Sequence, residues 1–108
     1  MADPSRGEIW LVDLGYVAKV RPSLVLSVPP SRTERALVTP VPHTTKPRES
    51  RFEVAIDIPF LRAGVFDAQS LVTVPFPKLL KRLGTLAGAD LNTVEQAVQT
   101  WPGLNPDH

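Results

Sequence analysis

Apolar and polar positions alternate over much of this chain, and the alternation predicts short strands. Glu8 to Leu14 is almost entirely β-branched, aromatic or leucine and lies between Gly7 and Gly15, which predicts a first strand. Gly15 to Val20 is a short connection. The following run to Val28 predicts a second strand, with Leu24, Leu26 and Val28 on one face and Arg21, Ser23, Val25 and Ser27 on the other. Pro22 falls at its start, where a proline costs no ladder hydrogen bond. Pro29-Pro30-Ser31 ends this strand, and Arg32 to Arg35 forms a charged loop. A third strand runs from Ala36 to about Thr44, and Pro40 and Pro42 confine it to an edge or force a bulge.

Beyond a polar turn at Lys46 to Ser50, the alternation is clean. Phe52, Val54, Ile56 and Ile58 face inward, while Arg51, Glu53, Ala55 and Asp57 face outward, as in a half-buried antiparallel strand. Pro59 to Ala63 accommodates one helical turn. Ser70 to Val74 and Arg82 to Leu86 are two further strands. From Ala89 the period changes: Leu91, Val94, Ala97, Val98 and Trp101 recur at helical spacing until Pro102-Gly103. This helix is expected to start near Gly88 or Asp90 and to pack Trp101 onto the sheet, with Trp10 also in the core. Five or six short strands, tight turns and one terminal helix predict a mainly β fold, a small antiparallel β-barrel with a C-terminal α-helix. The 108 residues form one domain, 1–108, with loose ends at 1–6 and 103–108.

Composition narrows the chemistry. A chain of this size buries roughly two thirds of its unfolded surface without help from metals or disulfides. It has no cysteine and only two histidines, so neither a disulfide framework nor a thiolate or histidine-rich metal site is expected. No apolar run approaches the ~20 residues of a membrane span, and the start of the chain lacks a signal-peptide pattern, which makes cytoplasm the expected location. Charge is uneven: residues 1–86 hold twelve basic and eight acidic side chains, a balance of +4, whereas residues 87–108 carry −3. A basic body of this kind suits a polyanionic partner.

No Gly-rich phosphate loop, Gly-x-Ser-x-Gly elbow or His-Glu-x-x-His pattern is present. Glu49 and Glu53 read as solvated charges on an outward face. Five stretches carry more information by their order. They are Arg6-Gly7-Glu8-Ile9-Trp10-Leu11-Val12-Asp13-Leu14, Val20-Arg21-Pro22-Ser23-Leu24-Val25-Leu26-Ser27, Val41-Pro42-His43-Thr44-Thr45, Phe52-Glu53-Val54 and Arg82-Leu83-Gly84-Thr85-Leu86. In this order the chain resembles the MazF/PemK (Kid-like) toxins of bacterial toxin–antitoxin pairs, over roughly residues 6 to 104.

The resemblance implies an SH3-like β-barrel that forms a homodimer, cuts single-stranded RNA at selected sequences without a metal or other cofactor, and is restrained by a cognate MazE-like antitoxin. It maps the family's catalytic arginine and threonine onto Arg21 and Thr44. The implied reaction is attack of the ribose 2′-OH on the adjacent phosphorus. A guanidinium suits it because its fork grips two phosphate oxygens and stays charged. Lys19, Thr45, Lys46 and Ser70 are then RNA-contacting candidates, and Tyr16 or Phe76 offers a ring for base stacking.

The chain departs from the family in three places. The family's longer loop with Gly-Ser-Glu-Gln is replaced by Gly15 to Val20, which holds no acid. Gln69-Ser70 stands where Asp-Gln is common, and Asp67 and Gln69 fill the register of the Kid branch's Arg/Asp pair. The general base is therefore open between water and Arg21. His43, with an ordinary pKa of about 6.5, is a third thought, but alternation sends it and Thr44 to opposite faces unless the prolines spoil the parity. Two rivals to the nuclease remain at this stage: a non-enzymatic gyrase-binding toxin of the CcdB type, and a catalytically degenerate family member.

Overall fold

A computed structural model describes residues 3–15 and 19–104. Among the described residues eight strands are formed: β1 (Glu8–Asp13), β2 (Val20–Val25), β3 (Leu37–Val38), β4 (Pro40–Thr44), β5 (Glu53–Ala55), β6 (Val65–Asp67), β7 (Val74–Pro75) and β8 (Leu79–Thr85). Short 3-10 turns span Ala68–Ser70 and Phe76–Lys78, and one helix, α1 (Gly88–Thr100), closes the chain. Six strands form an antiparallel sheet ordered β5-β6-β4-β2-β1-β8, and β3 pairs with β7 as a small flap. The antiparallel, mainly β architecture with a single C-terminal helix is the expected one. No helix among the described residues is long and apolar enough to cross a membrane.

The strand expected from Ala36 to Thr44 divides at Thr39. Its second half lies in the middle of the sheet, between β6 and β2, rather than at an edge. Two prolines are tolerated there because of where their nitrogens point. The Pro40 carbonyl accepts from the Val72 amide, on the side away from β2. By alternation Pro42 faces the same way, so the β2 ladder loses no donor. Pairing with β6 begins only at His43.

The central strands are buried on both faces, which single-face alternation did not anticipate. Ser23, Leu24 and Val25 are all fully buried. Ile9, Leu24, Val41, Phe66 and Val94 form one core beneath α1. Trp10, Val12, Val25, Val38, Val74 and Leu79 form a second on the opposite face, beneath the β3–β7 flap. Two register shifts between β1 and β8 mark where the sheet bends.

Several local expectations are corrected. Val28 does not face inward but is 70% exposed, because pairing of β2 with β4 stops at Val25 opposite Pro40. Trp101 sits at the end of α1, 46% exposed, with its ring edge-on to Phe52 and the centroids 5.1 Å apart. Trp10 is in the core as expected, and its indole N–H donates to Glu8 Oε1. Of Pro59 to Ala63, Pro59 and Phe60 form one turn closed by the Leu61 amide on the Ile58 carbonyl at 3.0 Å, and the rest is bend and irregular chain; Ser70 to Val74 is mostly irregular, with β7 starting only at Val74. β6, a three-residue strand directly after Gly64, was not foreseen.

At the start of the chain, Arg6 donates to the Leu26 carbonyl and pairs with Glu95 of α1, tying the leader to the helix. Of the ends expected to be loose, residues 1–2 and 105–108 lie outside the described residues.

Candidate active site

A cleft of about 560 Å³ opens on the sheet face that carries the second core. β2 and β4 bring its two central side chains together. The register pairs Ser23 with Pro42 and Leu24 with Val41, and its continuation sets Thr44 opposite Arg21 on the same face. Both line the cleft. The Thr44 hydroxyl accepts from the Lys46 amide at 3.1 Å, which occupies a lone pair and leaves the O–H proton to donate.

Lys46, Arg48 and Glu53, from the turn after β4 and the start of β5, also line this cleft. Glu53, read from the sequence as a solvated charge, is instead bound by its own loop. Its carboxylate accepts from the Arg48 amide, at 2.9 Å to Oε2 and 3.1 Å to Oε1, and from the Ser50 amide at 2.9 Å. The Arg48 amide above all, followed by the Ser50 amide, holds this carboxyl below the usual range.

Asp67, paired across the strands with Glu53, lines the same cleft. Its side chain caps the 3-10 turn by accepting from the Gln69 amide at 3.0 Å, and takes a second bond from the Ser70 hydroxyl at 2.9 Å. Ser70 thereby reaches the cleft. With Arg21, Lys46 and Arg48 facing Glu53 and Asp67, cations outnumber anions by one, a balance compatible with a phosphate chain.

The other sequence candidates are not gathered there. Lys19 is exposed at the end of the β1–β2 connection, in left-handed backbone with φ 60, and does not line the cleft. Thr45 lines a second depression of about 350 Å³ with His43 and Phe60, which Arg21 also borders. Phe76 packs against the second core. Tyr16 lies outside the described residues.

A family model for the PemK-like, MazF-like toxin of type II toxin–antitoxin systems matches residues 5–101. The chain belongs to this family. Among solved structures, an endoribonuclease in complex with its cognate antitoxin, from a mycobacterial species, is 29% identical. It superposes with a TM-score of 0.80, covering 94% of this chain and 97% of that one. The Mycobacterium tuberculosis toxin MazF-mt6 is 26% identical with a TM-score of 0.76, covering 91% and 98%. A MazE–MazF crystal structure from Deinococcus radiodurans has a TM-score of 0.79 at 20% identity, covering 97% and 100%, and that likeness speaks for the fold alone.

For a PemK/MazF-family chain, the placement of His43 removes it from the cleft. It is 4% exposed, with its ring edge-on to Phe66 at 5.0 Å and its Nε2 buried without a hydrogen-bond partner. Burial pushes its pKa below the ordinary value. The unfolded chain then binds the proton more readily, so the stability His43 contributes is complete above about pH 6.5 and declines as pH falls below it. The urea midpoint of the wild type is expected to fall between pH 7 and pH 5.5. In His43→Phe this part of the decline should vanish, and equal pH dependence in the two proteins would refute it.

The residues missed from sequence are Arg48, Glu53 and Asp67. A signal existed for the first: a cation in a short polar turn directly after the Pro-x-Thr strand is carried wherever that strand's end goes. Asp67 was marked only by the register of the Kid branch's Arg/Asp pair, and no local pattern placed it in the cleft, because β6 itself was not visible.

Proposed function

We propose that this chain is a toxin endoribonuclease that cleaves single-stranded RNA at selected sequences, without a metal, as a homodimer in the cytoplasm, and that a cognate antitoxin neutralises it. The observation that carries this reading is the shared cleft of Arg21 and Thr44. A fixed positive fork and a hydroxyl donor on neighbouring strands suit a phosphodiester whose non-bridging oxygens gain charge during reaction. Donors held in place for that charge stabilise the transition state with little reorganisation.

In this reaction the ribose 2′-oxygen attacks the adjacent phosphorus and the bond to O5′ breaks. The products are a 2′,3′-cyclic phosphate and a 5′-hydroxyl. Arg21 spans the two non-bridging oxygens, Thr44 donates a further hydrogen bond, and Lys46 and Ser70 flank the chain. The cleft offers two carboxylates for the 2′-OH proton. Glu53 is kept ionised and weakly basic by its amide donors, so Asp67 joins water and Arg21 as the groups left for that role. The antitoxin is an extended acidic segment laid over the same cations.

The test is incubation of the wild type with a long single-stranded RNA in excess EDTA, followed by mapping of fragment ends. Cleavage at a few defined positions, with cyclic phosphates on the upstream fragments and free 5′-hydroxyls on the downstream ones, is the expected result. RNA left intact, or cut only when divalent ions are restored, would sink the proposal.

A further inference from the structure

Between Thr44 and Phe52 the chain makes a tight excursion that the sheet does not hold. The Lys46 amide on Thr44 Oγ1 and the Glu53 amide on the Ser50 carbonyl hold its two ends, and between them the Glu53 carboxylate gathers it. That carboxylate takes the Arg48 and Ser50 amides, while Ser50 Oγ accepts from the Phe52 amide and Glu49 adopts left-handed backbone at φ 61. A non-glycine residue in that conformation is costly unless its surroundings over-determine it. The bonds on either side of Glu49 supply that restraint. Their consequence is positional, because the folded excursion brings Arg48 alongside Lys46 into the cleft of Arg21 and Thr44.

We infer that Glu53 is a positioning residue: its carboxylate fixes the Lys46–Ser50 loop so that the Arg48 guanidinium grips the backbone phosphate next to the one being cleaved. The inference rests on the nuclease reading, yet part of it is testable without RNA. Glu53 faces the cleft without acting on the reacting atoms, since its oxygens are engaged by the loop amides. An arginine delivered in this way adds binding along the chain rather than transition-state stabilisation at the scissile phosphorus.

The experiment compares wild type, Glu53→Ala, Glu53→Gln, Arg48→Ala and the Glu53→Ala/Arg48→Ala double variant, each first checked for a cooperative thermal transition. Steady-state cleavage of a single-stranded RNA is expected to show KM raised roughly tenfold in Glu53→Ala and in Arg48→Ala, with kcat within about twofold of wild type. The double variant should be no worse than Arg48→Ala alone, since both changes remove the same contact. The slope of log KM against log salt should become shallower by about 0.7 in each, one single-strand phosphate contact. Glu53→Gln, which keeps one acceptor oxygen, should fall between wild type and Glu53→Ala.

Amide hydrogen exchange reads the loop directly: Arg48 and Ser50 amides should be protected in wild type and in Arg48→Ala, and open in Glu53→Ala. Multiplicative effects in the double variant, an unchanged KM in Glu53→Ala, or a lost limb in the pH–rate profile of Glu53→Gln would each overturn the inference, the last by making Glu53 a proton-transfer group. Should the wild type leave RNA uncut, the nuclease reading falls on that result. The exchange data then decide the loop alone, and unchanged protection in Glu53→Ala rejects the clamp.

Discussion

Arg21→Ala is expected to slow RNA cleavage by at least a hundredfold, and Arg21→Lys by nearly as much. The reason lies in what the guanidinium supplies at this position. Opposite Thr44 across β2 and β4 and lining the same cleft, a guanidinium offers a planar pair of N–H groups that fits two oxygens of one phosphate, the role proposed for it above. Alanine removes both donors and the charge, and loss of a single donor aimed at developing charge typically costs about 2.7–4 kcal/mol in barrier. Lysine restores the charge as a point on a flexible stem but not the paired geometry, so most of the deficit should persist. Single-turnover cleavage at saturating enzyme isolates this loss from weaker binding, and a thermal melt confirms that the sheet is intact. Equal single-turnover rates for wild type and Arg21→Ala would remove the guanidinium from the chemistry.

The second large effect is expected from a residue with no side chain. Gly64 precedes β6 where the backbone passes against the end of β4. A Cβ built there meets the Thr44 carbonyl oxygen, the Thr44 carbonyl carbon at 2.9 Å and His43 Cε1 at 2.8 Å. Two of these atoms are backbone and cannot rotate aside. In Gly64→Ala, therefore, either β6 or the end of β4 must move. Overpacking of this kind costs about 1–3 kcal/mol, and the rigidity of the neighbours points to the upper end. For a domain near 100 residues that lowers the melting temperature by roughly 10 °C or more. The displaced segment carries Thr44, so cleavage should fall as well, on the order of a hundredfold for a shift near 1 Å. A Gly64→Ala protein that melts and cuts like wild type would show that this approach is looser than the structure has it.

The parts of this molecule that were legible from sequence are those where local pattern and tertiary role agree. β1 has a uniform run between glycines, and α1 has an unbroken helical period ending at Pro102-Gly103. The face of Arg21 followed from alternation because β2 is regular there. The opposite placement of His43 and Thr44 likewise follows simple parity, since Pro40 and Pro42 turn their missing donors away from β2 without adding a residue to β4.

The illegible parts are those where two distant segments decide each other. β6 is three residues long and owes its existence to partners on both sides, β4 and β5. Without it, Asp67 had a register in the family pattern but no place in the cleft. Glu53 occupies an outward position by every local rule, and only the return of the preceding loop makes it an acceptor for amides three and five residues away. Trp101 has the right helical spacing, but it falls just past the last residue of α1 and is half exposed, so spacing overstated its burial.

The alignment of β2 with β4 has a consequence for how such a chain can vary. The segment joining them, from Leu26 to Thr39, includes the charged turn at Arg32 to Arg35. Lengthening that turn by several residues changes only a slowly varying entropy of closure and leaves both flanking strands where they are. One residue inserted between Pro40 and Thr44 is another matter. It would rotate the hydroxyl to the His43 side of the sheet and leave the guanidinium facing an empty position. Descent with insertions and deletions is thus free to rewrite the turn, while these five residues admit replacement but no change of count.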